Sequence, residues 1–460
     1  MPTEQQVVYG VGKAGVGRSK PPVDTSVPLQ LTAERLRVWG GQAAFSLLDQ
    51  GFASGASFGL NLLLARWLPA EAYGAFAVAF VGYMFVYGLY NVLLLEPMSV
   101  HGASRHTDSL PIYFRHQLTI HGVLVSPLAG IVLLAGILVR QFTPASPLAG
   151  ALIGFGVALP FLLLLWLARR ICYAMQRPSL AAGGSTLYLG FVGAGVIVLH
   201  RYGELEPFAA FVLMGTGSFL AGVFLIMRFG LLQRRSLKDP GVLWGRVLRE
   251  NWNYGRWLVG STVLSSVVSQ TQVLFVSGIL GLGSAGILRA MQLPALLMTQ
   301  VSTATGFLVL PSFSYDFVAG ALKRMRHKAI LVSIALSVSA LILVGVTWAF
   351  SGVIERILFS GKYASYSWLM PMLVLFTVAF GPMQGFGMAL RAIRKPQFDL
   401  VSGLFAAPVA MLCAHFGTRW WGLAGAALSL ILGFAVQGLV TAFYFRRLVS
   451  DVEIPGGACT

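Results

Sequence analysis

One feature recurs from end to end of this chain: nearly uninterrupted apolar runs of about 20 residues, separated by short polar connections. Twenty helical residues rise about 30 Å, the thickness of a bilayer's hydrocarbon core. In lipid the backbone must satisfy its own hydrogen bonds, so such runs are helices, and they are too long and too evenly apolar for barrel strands. The expected fold class is all-α, a polytopic membrane protein of about 12 transmembrane helices. The first six are expected at 43–65, 73–96, 118–139, 148–168, 180–200 and 207–228, and the second six at 257–280, 286–310, 329–350, 368–390, 399–416 and 422–445. Composition agrees: 56% of 460 residues are hydrophobic and only 11% are charged, too few to cover a soluble protein of this length.

The formal net charge of +17 would suggest nucleic acid in a soluble protein. Here the basic residues sit in short connections, so they read as orientation signals and no nucleic-acid partner is expected. On the expected map, alternate sides carry 26 and 7 of the 33 Lys and Arg residues. That bias places the first side, and with it both termini, in the cytoplasm. One helix missed or invented would scramble it, so the charge count supports the helix count independently.

Residues 1–42 read as a cytoplasmic tail without a signal peptide. About the first 30 are expected to be disordered, and Leu31–Trp39 to form an amphipathic interfacial helix. Residues 43–228 and 257–445 form two six-helix lobes. Residues 229–256 are the cytoplasmic linker, with Trp244, Trp252 and Trp257 at headgroup level, and 446–460 a second cytoplasmic tail. The lobes resemble each other. Tyr73-Gly74-Ala75-Phe76 opens helix two as Ala285-Gly286-Ile287-Leu288 opens helix eight, after turns of matching length, so Gly74 aligns with Gly286. Six helices per half keep both repeats in one orientation, with the symmetry axis along the membrane normal and a central cavity between lobes.

Polar residues at membrane depth mark that cavity, or else hydrogen bonds between helices in a dry bundle. Gln50, Ser54, Ser57 and Asn61 share one face of helix one, with Asp49 beside them. Gly51, Gly55 and Gly59 form a second stripe suited to close packing. Ser261, Ser265, Ser269 and Gln272 form a comparable face on helix seven. Helix two carries Tyr83, Tyr87, Asn91 and Glu96, the last at an end where water can solvate it. Helix eight carries Arg289, Gln292, Thr299 and Thr303; Arg289 either faces the cavity or snorkels to the interface. Asp49 is the deepest acid, free to titrate, to pair with an arginine or to sit at the inner membrane edge.

No catalytic constellation is visible. The expected outer loops hold only Glu71, Glu204, Glu206 and Glu355 as acids, and no GxxxxGK[ST] loop occurs. Cys172, expected in a loop, Cys413 and Cys459 form no CxxC pair, and His116 and His121 are poorly spaced to share a ligand face. No metal, no cofactor and no enzyme activity are expected; a secondary transporter is.

Leu47-Leu48-Asp49-Gln50-Gly51 through Leu63-Leu64-Ala65-Arg66-Trp67-Leu68, then Tyr73-Gly74-Ala75-Phe76, resembles the opening of the Wzx-type polysaccharide flippases of the multidrug/oligosaccharidyl-lipid/polysaccharide (MOP) exporter superfamily. Leu93-Leu94-Leu95-Glu96-Pro97-Met98-Ser99-Val100 is similar to the end of their second helix, and Leu288-Arg289-Ala290-Met291-Gln292 with Pro294 to their eighth. The resemblance implies a V-shaped, two-lobed carrier opening alternately to either side of the bacterial inner membrane. It implies a lipid-linked oligosaccharide cargo, contact with membrane lipids, and work alongside glycan polymerase and export machinery in exopolysaccharide biosynthesis. On that reading Arg289 and Arg66 hold a diphosphate. The sequence departs from the family in lacking a dense cluster of buried arginines. A cation-coupled multidrug antiporter of the same fold, with Asp49 as its ion site, and a membrane enzyme of glycan assembly are the rival readings.

Overall fold

A computed structural model describes residues 33–104, 110–229, 244–393 and 397–452. The expected disordered tail, Arg105, Lys238 and Cys459 lie outside them. The regular elements of the described residues are all helical. In order they are α1 (Ala33–Trp67), α2 (Ala70–Tyr90), a π-helical turn (Asn91–Leu95), α3 (Glu96–Ser104), α4 (Leu110–Phe142), α5 (Pro147–Ala174), α6 (Pro178–Arg201) and α7 (Pro207–Arg228). Then come α8 (Trp244–Ile279), α9 (Leu282–Gln292), α10 (Ala295–Val318), α11 (Leu322–Phe359), a 3₁₀ turn (Ala364–Tyr366), α12 (Leu369–Ala392) and α13 (Gln397–Val452).

Among the described residues, ten stretches are long and apolar enough to cross a membrane. The chain is a multi-pass membrane protein. α2, the π turn and α3 make one pass, and α9 and α10 make another, bent at Pro294. α13 makes two: Gly422, at φ 58° and ψ −133°, reverses the chain in a conformation closed to residues with a Cβ. With α1, whose 35 residues are ample for a span, the described helices make the 12 expected passes. Starts are set locally. Pro147, Pro178 and Pro207 open α5, α6 and α7, where a missing N–H costs nothing, and the Ser146 hydroxyl accepts from Leu148 N at 3.4 Å.

The two halves share a layout. The third pass of each, α4 and α11, is only 17% and 22% buried and turns Leu128, Ile131 and Leu134, or Leu331, Ile334 and Leu341, outward as a lipid face. The fourth pass of each, α5 and α12, is 56% and 61% buried at the centre of its lobe. Lipid is as apolar as leucine, so close packing rather than water exclusion holds these centres together. Trp348, Trp368, Trp420, Trp421 and Tyr202 are exposed around the charge-poor end of the bundle, and Trp244 and Trp252 at the basic end, as interfacial anchors should be.

Three boundaries differ from expectation. α8 starts at Trp244, so residues 244–256 are its first turns, packed on α4, the π turn and α3, rather than a separate linker. Cys172 is fully buried inside α5, which runs past the expected end at 168. Residues from Ala33 onward belong to α1, not to a separate amphipathic helix.

Candidate transport site

The lobes meet along α8, where Gly255 lies against the Val92 carbonyl and Asn251 hydrogen-bonds Gln117, and again at the charge-poor end, where α2 crosses α9 backbone against backbone. A Cβ on Gly74 would lie 1.8 Å from the Leu282 carbonyl oxygen, and one on Gly286 would lie 2.2 Å from that of Ala70. The two glycines aligned by the repeat thus face each other across the pseudo-symmetry axis. Beside them Lys362 Nζ donates to the carbonyls of Ala65, at 2.8 Å, and Leu68, and the Tyr363 hydroxyl donates to Ala65 O at 3.0 Å. These are orphan acceptors at the C-terminus of α1, where the helix dipole favours a cation. The second half of the chain therefore caps a helix of the first. Burial draws the Lys362 ammonium down to about 8, while its carbonyl acceptors favour the charged form. Glu355 accepts from Tyr363 N at 2.7 Å and fixes the loop that presents both residues. Arg66, expected in the cavity, is instead exposed at this seal, 3.5 Å from the Ile357 carbonyl. Lys362→Met should loosen the seal by about 1 kcal/mol, the net worth of such hydrogen bonds; cross-linking between cysteines at Arg66 and Ile357 measures it as a lower yield.

Arg289 lies just beneath. It is 7% exposed, donates to Gln292 Oε1 at 3.2 Å, and sits 5.9 Å from the Phe80 ring centroid. Its Nε and the hydroxyl of neighbouring Tyr73 are buried without a hydrogen-bond partner, and no carboxylate pairs with it among the described residues. Snorkelling is ruled out by that burial. Arginine stays charged, and a buried unpaired charge costs several kcal/mol, far beyond what one cation–π contact returns. An anion within reach of Nε would balance that charge.

Below the seal α1 and α10 are not packed together; Ser54 Oγ reaches Gln300 Oε1 at 3.0 Å between them. Gln50, Ser54 and Ser57 are half-buried on α1, and Gln300 and Thr303 are exposed on α10. Gly51, Gly55 and Gly59 were expected to pack closely, but no atom lies within 4 Å of where their Cβ atoms would be, so that face of α1 is open. Asn61 is buried, donates to Ser57 O at 2.9 Å, and its Oδ1 has no partner. On α8, Ser265 is exposed, Ser269 half-buried and Gln272 buried; Ser269 and Gln272 both donate to carbonyls of their own helix. α8 packs mainly on α13 and α2.

Asp49 does not share that open face of α1. It is 0% exposed inside the first lobe, where Arg169 donates from Nε at 3.2 Å and from Nη2 at 2.8 Å. The Tyr173 and Ser185 hydroxyls each donate to it at 2.5 Å, and Arg169 stacks on Trp166 at 4.6 Å. A carboxylate with four donors is a knot tying α1 to α5 and α6. Asp49→Asn would leave Arg169 uncompensated, and a loss of about 3–5 kcal/mol is expected, read as a lower melting temperature. Asp49→Asn with Arg169→Met should recover most of it. An unchanged melting temperature in the single variant would mean the knot carries no stability.

Toward the basic end, the Tyr87 ring packs on Trp166 at a tilt of 40° with centroids 4.6 Å apart, and Arg170 Nη2 donates to Asn91 Oδ1 at 3.1 Å. Asn91 Nδ2 in turn donates to Glu96 Oε1 at 3.0 Å. Asn91 opens the π turn, a local widening frequent at functional sites. Sequence reasoning missed Arg169 and Arg170 because a pair of arginines beside an expected loop reads as a topology signal, and it missed Lys362 for the same reason. The i, i+5 pair Asn91 and Glu96 was the available hint of the π turn.

An inward-facing multidrug resistance MATE family transporter of the MOP superfamily superposes with a TM-score of 0.73 at 12% identity, over 90% of this chain and 100% of that one. The chain has the fold of that protein. The same fold is seen in the lipid II flippase MurJ in its inward closed conformation, at a TM-score of 0.67 and 15% identity over 91% and 94% of the two chains. A Vibrio cholerae MATE transporter superposes at 0.63 and 14% identity over 90% and 98%. These neighbours are transporters and flippases, not enzymes, and they do not single out the polysaccharide branch of the superfamily. No family profile and no curated protein matches the sequence.

Proposed function

We propose that the protein is a flippase of the bacterial inner membrane. It moves undecaprenyl-diphosphate-linked oligosaccharide from the cytoplasmic to the periplasmic leaflet, in step with the polymerase and export machinery of polysaccharide biosynthesis. The observation that carries this reading is Arg289, a buried cation without an anionic partner at the closed end of an interlobe cleft. A diphosphate supplies what it lacks, through paired charge-assisted hydrogen bonds. The Gln- and Ser-bearing faces of α1 and α10 suit sugars, and the unpacked α1–α10 gap suits a lipid tail that stays in the bilayer. The basic face is the cytoplasmic one, which makes the Gly74–Gly286 seal the outer gate. The TM-score of 0.73 to an inward-facing transporter against 0.65 to an outward-facing one agrees with a gate closed on that side. An inside-negative potential assists outward movement of an anionic cargo by about 2.3 kcal/mol per charge per 100 mV.

The test is reconstitution in vesicles with lipid-linked oligosaccharide of known structure, scoring leaflet transfer with and without ion gradients. Transfer supports the proposal. Dye efflux under a proton gradient without glycan transfer would support the multidrug antiporter instead. Asp49 weighs against that rival, because its charge is already matched by Arg169.

A further inference from the structure

A second arginine-bearing site lies outside the interlobe cleft. Near the basic end of the second lobe, α11 and the returning arm of α13 stand apart over α12. The groove between them has a volume of about 540 Å³ and is lined by Arg326, Ile334, Val338, Pro382, Phe386 and Arg446. A second hollow of about 500 Å³ shares Arg326 and Arg446 and adds Arg447. α12 packs on α9 and α10 as well, so the groove belongs to the lobe's flank with α11 and not to the cleft.

The arginines are not ordinary loop charges. Of the basic residues that open α11, Arg324 and Lys328 are held by fully buried Asp316 at 2.8 and 2.7 Å. Arg326 turns away from that acid and lines the groove, where Arg446 joins it from 120 residues further along the chain. Neither pairs with a carboxylate among the described residues. Below them the wall is mostly apolar, interrupted by Ser333 and Ser337: Ile334 and Val338 are 54% and 47% exposed, on the stripe Ile330, Ile334, Val338. From Arg326 to Val338 the helix rises about 18 Å, close to the hydrocarbon depth of one leaflet. Two cations above a leaflet-deep apolar trough match one ligand chemistry, a phosphate joined to an acyl chain.

We infer that this groove binds an anionic phospholipid of the leaflet on the basic side, with its phosphate on Arg326 and Arg446 and an acyl chain along Ile334 and Val338. The lipid wedges α11 against α13 and is a structural ligand rather than cargo.

The test uses the full chain in detergent, with phosphatidylglycerol, phosphatidylcholine, glycerol phosphate and farnesyl diphosphate as probes. Native mass spectrometry counts retained lipid, and thermal unfolding reads its effect. Phosphatidylglycerol should be retained over phosphatidylcholine and should raise the melting temperature, and glycerol phosphate should do neither. Retention should fall at least about fivefold in Arg326→Gln/Arg446→Gln, as loss of two phosphate contacts requires. It should fall similarly in Val338→Trp, which fills the trough with both charges intact, and should not change in Arg356→Gln at the opposite end. Equal retention of phosphatidylcholine, unaltered retention in both groove variants, or displacement of the phosphatidylglycerol by farnesyl diphosphate would overturn the inference.

Discussion

Arg289→Gln should abolish glycan transfer while leaving the protein inserted and folded. Removing one partner of a desolvated, hydrogen-bonded charge pair costs about 2–5 kcal/mol, so cargo recognition should weaken by roughly 30-fold to more than a thousandfold. Stability should move the other way. The variant removes an unpaired buried cation and keeps a side chain able to hydrogen-bond Gln292, so its melting temperature should equal or exceed that of the native chain. This opposite pair of effects separates a ligand-binding arginine from a structural one, whose loss lowers both. Arg289→Lys keeps the charge but not the planar fork, and should restore only part of the transfer. Leaflet-transfer and thermal-unfolding assays on the same preparations measure both quantities.

Gly74→Ala and Gly286→Ala should each hold the charge-poor end open. The added methyl carbon has no vacant space: 1.8 Å and 2.2 Å from a facing carbonyl oxygen are well inside contact, and the obstacle is backbone, which cannot rotate aside. The helices must separate, and the seal made by Lys362 and Tyr363 separates with them. A cysteine at Ser57 should then react with a membrane-impermeant thiol reagent added from the charge-poor side, at a rate at least about tenfold above the parent, corresponding to about 1.4 kcal/mol in the gate equilibrium. Transfer should fall, because a carrier held open to one side cannot reload. Unchanged reactivity would show that the α2–α9 crossing is not the gate.

Much of the fold was legible because the bilayer imposes it. Spans near 20 residues, satisfied backbones and basic connections on one side are physical requirements, and they yielded 12 passes and two matching lobes. Helix ends were less legible. Trp244 to Arg256 carry enough charge to read as a surface segment, and only their packing against the first lobe makes them the start of α8. The site was half legible. The sequence marks polar residues at depth, but not which of them the fold has already satisfied. Asp49 and Arg289 look alike as buried charges; the difference lies in Arg169, Tyr173 and Ser185, which are 120 to 136 residues distant from Asp49. The small-residue stripe Gly51, Gly55, Gly59 misled for the converse reason, since small residues permit close approach without ensuring that a partner is there. Gly74 and Gly286 aligned by repeat alone, and the structure supplied the meaning of that match.

The most direct measurement of the account is the affinity of the purified protein for farnesyl diphosphate and for farnesol, compared between the native chain and Arg289→Gln. The diphosphate should bind the native chain and lose at least about tenfold in the variant, with the neutral alcohol weak in both. Equal affinity for the two ligands, or equal affinity of the two proteins for the diphosphate, would contradict an anion-accepting site at Arg289.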